Sequence, residues 1–300
     1  MSQVSFTEIE ETTVDAMNKA ISESLDLINY SFEKKIANVV IKPNLCYYWD
    51  WTTGQTTDPR FIGALIRLIR KSISPEVNIS LVESDASAMK CKYAFKMLGY
   101  DKLAKAYQVG LVNLSEDTST TEKITVGANS FDIMIPETLQ KADLKINVSK
   151  IKYTMEPIKL TCILKNIYGC NPYPKKFKFH PQLGEMIVAL NKAFKFNLCL
   201  IDGNIVSGIQ PRKLGLVMAS EDPLAIDVAA AKIAGINPKS VKYFELAKKE
   251  GLGHMSYVPK GLPINYFSSK YPRKNIKKKL MGRAFTIVSK IGLAKRLGLG

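Results

Sequence analysis

The alternation of strand-like and helix-like patterns along the first 250 residues limits the folds open to this chain more than any other feature. Short apolar runs such as residues 39–41 and 77–82 are typical of buried strands. Between them lie longer stretches, such as residues 14–28, whose apolar side chains recur every three or four positions. Strands that alternate with helices form a largely parallel sheet with helices on its faces. We therefore predict an α/β fold with a mostly parallel or mixed sheet covered by helices.

Two further patterns define the expected domain organisation. Residues 122–135 match a β-hairpin with Asn129 at its turn, which adds an antiparallel component. We place the end of the α/β core at residue 254 and interpret residues 255–300 as a basic linker followed by an amphipathic helix.

The five cysteines, Cys46, Cys91, Cys162, Cys170 and Cys199, are odd in number and widely spaced. This spacing argues against a disulfide framework and against a self-contained iron–sulfur cluster. The N-terminus lacks an apolar signal core, and no apolar run reaches the ~18 residues of a spanning helix. We expect a soluble cytoplasmic protein, with peripheral membrane contact through its tail as an added hypothesis.

The net charge of +16 is concentrated in two segments. Residues 145–178 contain eight lysines and one acidic residue, with aromatic residues interleaved. The chain after Glu250 has eleven Lys and Arg residues and no acid. Lysines at such density repel one another unless they are solvated or bind an anion. We therefore expect an anionic partner, and the central segment indicates a small molecule that carries phosphate or carboxylate.

Several polar side chains follow the predicted strands, where open α/β sheets bind their ligands. From these strand ends and from the central lysine segment we predict six ligand-binding residues: Lys42, Asn44, Lys150, Lys152, Lys165 and Asn166. We predict three catalytic residues, His180 to move a proton and Asp202 and Asp227 to orient the substrate or a divalent metal ion. Two alternatives stay open: His180 as a structural histidine, and Asp227 paired with a lysine.

The order and spacing of many short segments between residues 38 and 253 resemble the family catalogued as domain of unknown function 362. The segments include Ile41-Lys42-Pro43-Asn44, Thr57-Asp58-Pro59, Leu164-Lys165-Asn166, Ile201-Asp202-Gly203 and Ser220-Glu221-Asp222-Pro223. The resemblance implies an α/β fold and a shared pocket, and many relatives carry ferredoxin-type cysteine motifs. This chain has no such motif, and Ser149 to Thr154 lacks the histidine that relatives often have there.

Residues 275–297 can be drawn as a helix with one apolar stripe and one basic side. Such a helix is attracted to anionic lipid, although docking on its own core, on a second subunit or on nucleic acid would use the same surface. The sequence thus leaves three hypotheses: an enzyme or binding protein for a small anion, a nucleic-acid-binding protein, and a membrane-associated redox accessory protein. It does not fix the cofactor or the oligomeric state.

Overall fold

The computed structural model describes residues 1–272 except residues 157, 174 and 209. The strands in this part of the chain are β1 Gln3–Glu8, β2 Asn38–Pro43, β3 Asn78–Glu83, β4 Gly110–Asn113, β5 Ser119–Val126, β6 Asn129–Pro136, β7 Leu144–Ser149, β8 Lys152–Tyr153, β9 Leu160–Thr161, β10 Leu198–Val206, β11 Arg212–Ser220 and β12 Val258–Gly261. The α-helices are α1 Val14–Asp26, α2 Pro59–Ser72, α3 Cys91–Met97, α4 Tyr100–Tyr107, α5 Glu137–Gln140, α6 Ile163–Asn166, α7 Leu183–Phe194, α8 Pro223–Ile233, α9 Lys242–Lys249 and α10 Ile264–Ser268.

Eight of these strands form one sheet, in the order β12-β1-β11-β10-β7-β2-β3-β4. The five strands from β10 to β4 are parallel to one another, and β11 is antiparallel to both of its neighbours. The predicted hairpin is present as β5 and β6, with its turn at Gly127 and Ala128. The predicted mixed, mostly parallel sheet is therefore confirmed.

Helices cover both faces of the sheet, which explains why the central strands are apolar on both sides. On β10, Leu198 and Leu200 pack into the layer that contains α1 and α2, whereas Cys199 and Ile201 pack into the layer that contains α7 and α8. Successive strand residues point to opposite faces, so both faces of β10 are part of the core.

Asp-Pro pairs begin two of these helices, since aspartate is a favoured N-cap and proline a favoured first helical residue. The Asp58 carboxylate accepts from the Arg60 N–H at the start of α2, and the Asp222 carboxylate accepts from the Leu224 and Ala225 N–H groups at the start of α8. These caps satisfy N–H groups that a helix leaves unpaired, and each stabilises its helix by about 1 kcal/mol.

The packed unit continues past residue 254. β12 pairs in parallel with β1 at the sheet edge, and Phe267 of α10 is fully buried against the layer that contains α8. Residues 258–268 are thus part of the core rather than of a linker. The sequence does not indicate this strand, because Val-Pro-Lys-Gly has a weak strand signal, although proline is tolerated at a sheet edge. The predicted tail helix, residues 275–297, lies outside the described residues.

Candidate functional site

The parallel strands β2, β3, β7 and β10 end at the same edge of the sheet, and polar residues lie at each end. Lys42 is the penultimate residue of β2, Glu83 ends β3, Lys150 follows β7, and Asp202 lies within β10 just beyond its pairing with β7. All four side chains are buried. Buried ionisable groups are costly unless they are paired, so these side chains must pair with one another or with a ligand.

Lys42 and Glu83 form a buried ion pair, with 2.8 Å between Lys42 Nζ and Glu83 Oε2. The same ammonium group donates to the Pro43 carbonyl oxygen at 2.7 Å. Gly169 closes this pair from above, because a Cβ at that position would lie 2.6 Å from Glu83 Oε1 and 2.8 Å from Lys42 Nζ. A side chain at position 169 would therefore displace this ion pair.

Lys150 and Asp202 form a second buried ion pair at 3.0 Å, with exposed fractions of 1% and 0%. Asp202 also accepts the Asp58 backbone N–H at 2.9 Å and the Asn204 backbone N–H at 3.1 Å. A carboxylate with three donors is well compensated, so Asp202 holds the start of α2 against β10.

A chain of asparagines connects the strand ends. Asn166 donates to Asn147 Oδ1 at 2.8 Å and accepts from Asn44 Nδ2 at 2.7 Å. Asn44 Oδ1 in turn accepts from Lys152 Nζ at 2.6 Å. Because every member is buried, this network fixes the rotamers of Asn44 and Asn166 and places the Lys152 ammonium group.

Lys152 and Lys165 differ from the ion-paired lysines. Lys152 donates to Asn44 Oδ1 and to the Gln55 carbonyl oxygen at 2.8 Å, and the Lys165 ammonium group makes no hydrogen bond or ion pair to another described residue. Burial lowers the pKa of Lys152 to about 8, opposed by the Cys46 thiol and reinforced by Lys165. Burial also lowers the pKa of Lys165. Two ammonium groups thus lie beside the partly exposed Cys46 without a carboxylate among the described residues.

Lys176 is a further buried lysine at this edge, which the sequence did not single out from its neighbours. It donates to Ser84 Oγ beyond the end of β3. Burial lowers its pKa to about 8, and Glu83 opposes this effect. Lys175 and Lys178 beside it are exposed. Only the fold distinguishes Lys176, since a run of lysines gives no periodicity that indicates which one is buried.

The predicted catalytic residues do not meet in the structure. His180 is exposed, and its ring packs against Phe177 with 4.3 Å between centroids. Asp227 accepts the Ile163 and Leu164 backbone N–H groups at 2.7 and 3.1 Å, so it caps α6. Burial raises the pKa of Asp227 to about 7. Asp202 and Asp227 share no hydrogen-bond partner within residues 1–272 as described, and Asp227 pairs with no lysine there.

Within the described ranges no three His, Cys, Asp or Glu side chains are grouped so as to hold a metal ion. A cavity of about 640 Å³ lies at the amino ends of the parallel strands, lined among others by Tyr30, Asp143, Asn197 and Glu221. At the carboxyl ends, the Lys152 ammonium group lies against Asn44 and Gln55. A ligand at Lys152 would be small or would require residues 44–55 to move.

The fold and the site define a helix-covered, mixed α/β protein with buried lysines at the carboxyl ends of its parallel strands. No helix in the described part of the chain is both long and apolar enough to cross a membrane. The chain belongs to the family "Domain of unknown function (DUF362)", whose model matches residues 39–232.

Two known proteins are similar to it. The "Thylakoid-associated protein sll1697" of Synechocystis sp. is 26% identical over 244 residues, which cover 74% of this chain and 70% of that protein. The lactate racemase apoprotein of Thermoanaerobacterium thermosaccharolyticum has a similar solved structure, with a TM-score of 0.49 and 14% identity. That match covers 79% of this chain and 57% of the racemase, less than two thirds of its length.

Proposed function

We propose that this protein binds a small phosphate- or carboxylate-bearing molecule at the carboxyl ends of β2, β7 and β10. One observation carries the proposal: the buried Lys152 and the half-buried Lys165 have no carboxylate partner among the described residues. A buried ammonium group in that position costs folding free energy, and an anionic ligand would offset that cost.

The charge balance at the carboxyl ends of the strands favours an anionic ligand. Five lysines lie there, Lys42, Lys150, Lys152, Lys165 and Lys176, and two of them pair with Glu83 and Asp202. Two further ion pairs lie beside these strands, Arg60 with Asp58 and Lys90 with Asp85, and each balances its own charge. The edge therefore carries an excess of positive charge when its lysines are protonated.

The protonation state of Lys152 fits this role. A pKa of about 8 leaves the side chain mostly protonated at pH 7, so its N–H groups can donate to an anion. Because Lys152 is held by Asn44 and Gln55, its ammonium group is already oriented. In this proposal Lys165 also contacts the anion, and Asn44 and Asn166 position Lys152. Lys150 and Asp202 hold the strand ends together. The proposed catalytic roles of His180 and Asp227 would require both to reach the ligand, and their present contacts favour binding over chemistry.

Cys46 provides a built-in probe of the site. It is partly exposed beside Lys152, whereas Cys91, Cys162, Cys170 and Cys199 are buried. Iodoacetate is anionic and iodoacetamide is neutral. We expect the ratio of their alkylation rates at Cys46, iodoacetate over iodoacetamide, to be higher in the folded protein than in the unfolded protein. The lysines attract the anionic reagent, so inorganic phosphate should protect Cys46. Mass spectrometry of the labelled peptides measures both rates.

Lys165→Met tests the assignment, with Lys96→Met on the exposed surface of α3 as the matched control. We expect Lys165→Met to remove the preference for iodoacetate and the protection by phosphate, and Lys96→Met to change neither. A reagent preference equal to that of the unfolded chain, or one that survives Lys165→Met, would refute the anion site.

A further inference from the structure

Asn204 is the most conspicuous unsatisfied group in the described part of the chain. Its side chain is fully buried on β10, yet neither Oδ1 nor Nδ2 has a hydrogen-bond partner. A buried amide without partners is costly, and each such group in a native protein calls for an explanation. A bound molecule that supplies both a donor and an acceptor is one explanation, and ordered water is the other.

Asn204 lies at the proposed anion site. Its backbone N–H donates to Asp202, whose other oxygen accepts from Lys150 and from the Asp58 N–H. Gly54 lies so close to β10 that a Cβ there would be 2.4 Å from Ser207 N. Residues 54–58 therefore pass along β10 between Ser207 and Asp202, the part of the strand that contains Asn204.

The same short segment contacts Lys152. The Gln55 carbonyl oxygen, between Gly54 and Asp58, accepts from Lys152 Nζ at 2.8 Å. Residues 54–58 therefore connect the Lys152 ammonium group with the part of β10 that contains Asn204. A ligand that meets both groups would lie beneath this stretch of chain.

The pairing of β10 with β11 is irregular at this residue. Gly203 pairs with Leu216 and Ile205 pairs with Lys213, so Asn204 alone lies opposite Leu214 and Gly215, the two residues of a β-bulge on β11. Bulges are frequent next to functional sites. The bulge is a second observation, independent of the missing partners, that distinguishes the surroundings of Asn204 from those of a regular strand pair.

We propose that Asn204 recognises a hydroxyl group of the bound anion, so that the ligand class is a hydroxyl-bearing carboxylate or phosphate ester. This inference rests on the proposed anion site. A hydroxyl donates one hydrogen bond and accepts others, so it satisfies Oδ1 and Nδ2 of a single amide together. An anion that lacks the hydroxyl leaves the amide unpaired, and sites of this kind discriminate strongly against such analogues.

Matched ligand pairs test the inference on the wild-type protein. Acetate is compared with glycolate, and ethyl phosphate with 2-hydroxyethyl phosphate, by calorimetric titration in competition with inorganic phosphate. We expect the hydroxylated member of at least one pair to bind about tenfold more tightly. Equal affinities within both pairs would overturn the inference and leave the anion site intact, whereas absence of binding by all four and by phosphate would overturn both.

Two variants separate recognition from packing. Asn204→Leu removes the unpaired amide, so we expect it to abolish the hydroxyl preference and to raise the Tm of the ligand-free protein. Asn191→Leu is the matched control, because Asn191 is also buried but donates to the Leu164 and Ile187 carbonyl oxygens, and its loss should lower the Tm. If Asn204→Leu lowers the Tm and leaves the preference unchanged, Asn204 is a structural residue held by water, and the inference fails. If Asn204→Leu does not fold, the wild-type comparison still decides.

Discussion

The buried lysines of this protein are of two kinds, which predict different responses to substitution. Lys42 and Lys150 each face a carboxylate, whereas Lys152 faces only an amide and a carbonyl oxygen. Removing one partner of a buried ion pair leaves the other charged and unpaired, which typically costs 3–5 kcal/mol. Removing a lysine that lacks a carboxylate partner leaves no charge behind.

We therefore expect Lys150→Met to lower the free energy of unfolding by about 3 kcal/mol, because Asp202 loses its ion pair inside the core. Lys165→Met should change it by less than about 1 kcal/mol, since no described carboxylate depends on Lys165. Urea denaturation at pH 7 measures both. Equal effects of the two substitutions would mean that the two kinds of lysine do not differ.

Asp227 provides a prediction on pH. Burial raises its pKa from 3.8 to about 7, so the folded protein holds this proton more tightly than the unfolded chain. Raising the pH from about 4 to 7 should therefore lower the free energy of unfolding, by up to about 1.4 kcal/mol per pH unit from this group. Asp227→Asn should remove that contribution and keep one acceptor for α6, whereas Asp227→Ala should cost about 2 kcal/mol at every pH by leaving two N–H groups unpaired. An identical pH slope in wild type and Asp227→Asn would contradict this.

At the scale of elements, the sequence predicts what local chemistry dictates. The Asp-Pro caps of α2 and α8 and the short apolar strands can be recognised because each signal lies within a few residues. The sequence pattern of residues 160–168, by contrast, is typical of a single helix. In the structure this region forms β9, α6 and a 3₁₀ helix from Ile167 to Cys170. That segment follows its tertiary contacts, above all Asp227, which lies 64 residues after Ile163.

The helical turn at Gly169 has a specific steric requirement. Gly169→Ala should destabilise the protein, because the added Cβ would collide with both members of the Lys42–Glu83 ion pair. We expect a loss of about 2–3 kcal/mol, the usual cost of overpacking a core. Gly184→Ala in α7 is the control, since its Cβ would meet nothing nearer than 3.4 Å and alanine favours a helix. Thermal unfolding of both variants checks this, and equal Tm values for Gly169→Ala and wild type would show that the turn is not closely packed.

At the scale of the whole molecule, the sequence indicates the α/β class and the polar strand ends, but not how the strand ends combine. Which lysines find carboxylates depends on strand order, since Lys42 and Glu83 are 41 residues apart and Lys150 and Asp202 are 52 apart. The same reason explains why the sequence does not single out Lys176 or Asn204 from the polar residues around them. It also explains why the sequence analysis gives Asp227 and Asp202 the same role, although they do not meet in the structure.

The position of β12 and α10 predicts where the folding unit ends. A chain that stops at residue 254 loses the partner of β1 and exposes the surface that Phe267 covers. We expect it to aggregate or to unfold at a Tm at least 5 °C lower than that of a chain that stops at residue 272. Differential scanning calorimetry of the two truncated proteins decides, and equal transitions would show that residues 255–272 add no stability.

The most direct test of the anion site is the pKa of Lys152, followed by NMR of the protein with labelled lysine side chains, with and without inorganic phosphate. In the absence of phosphate we expect titration near 8. Because a bound anion stabilises the charged ammonium form, the pKa should rise by one unit or more at saturating phosphate, and Lys165→Met should reduce that rise. A Lys152 pKa that is the same with and without phosphate would contradict the account.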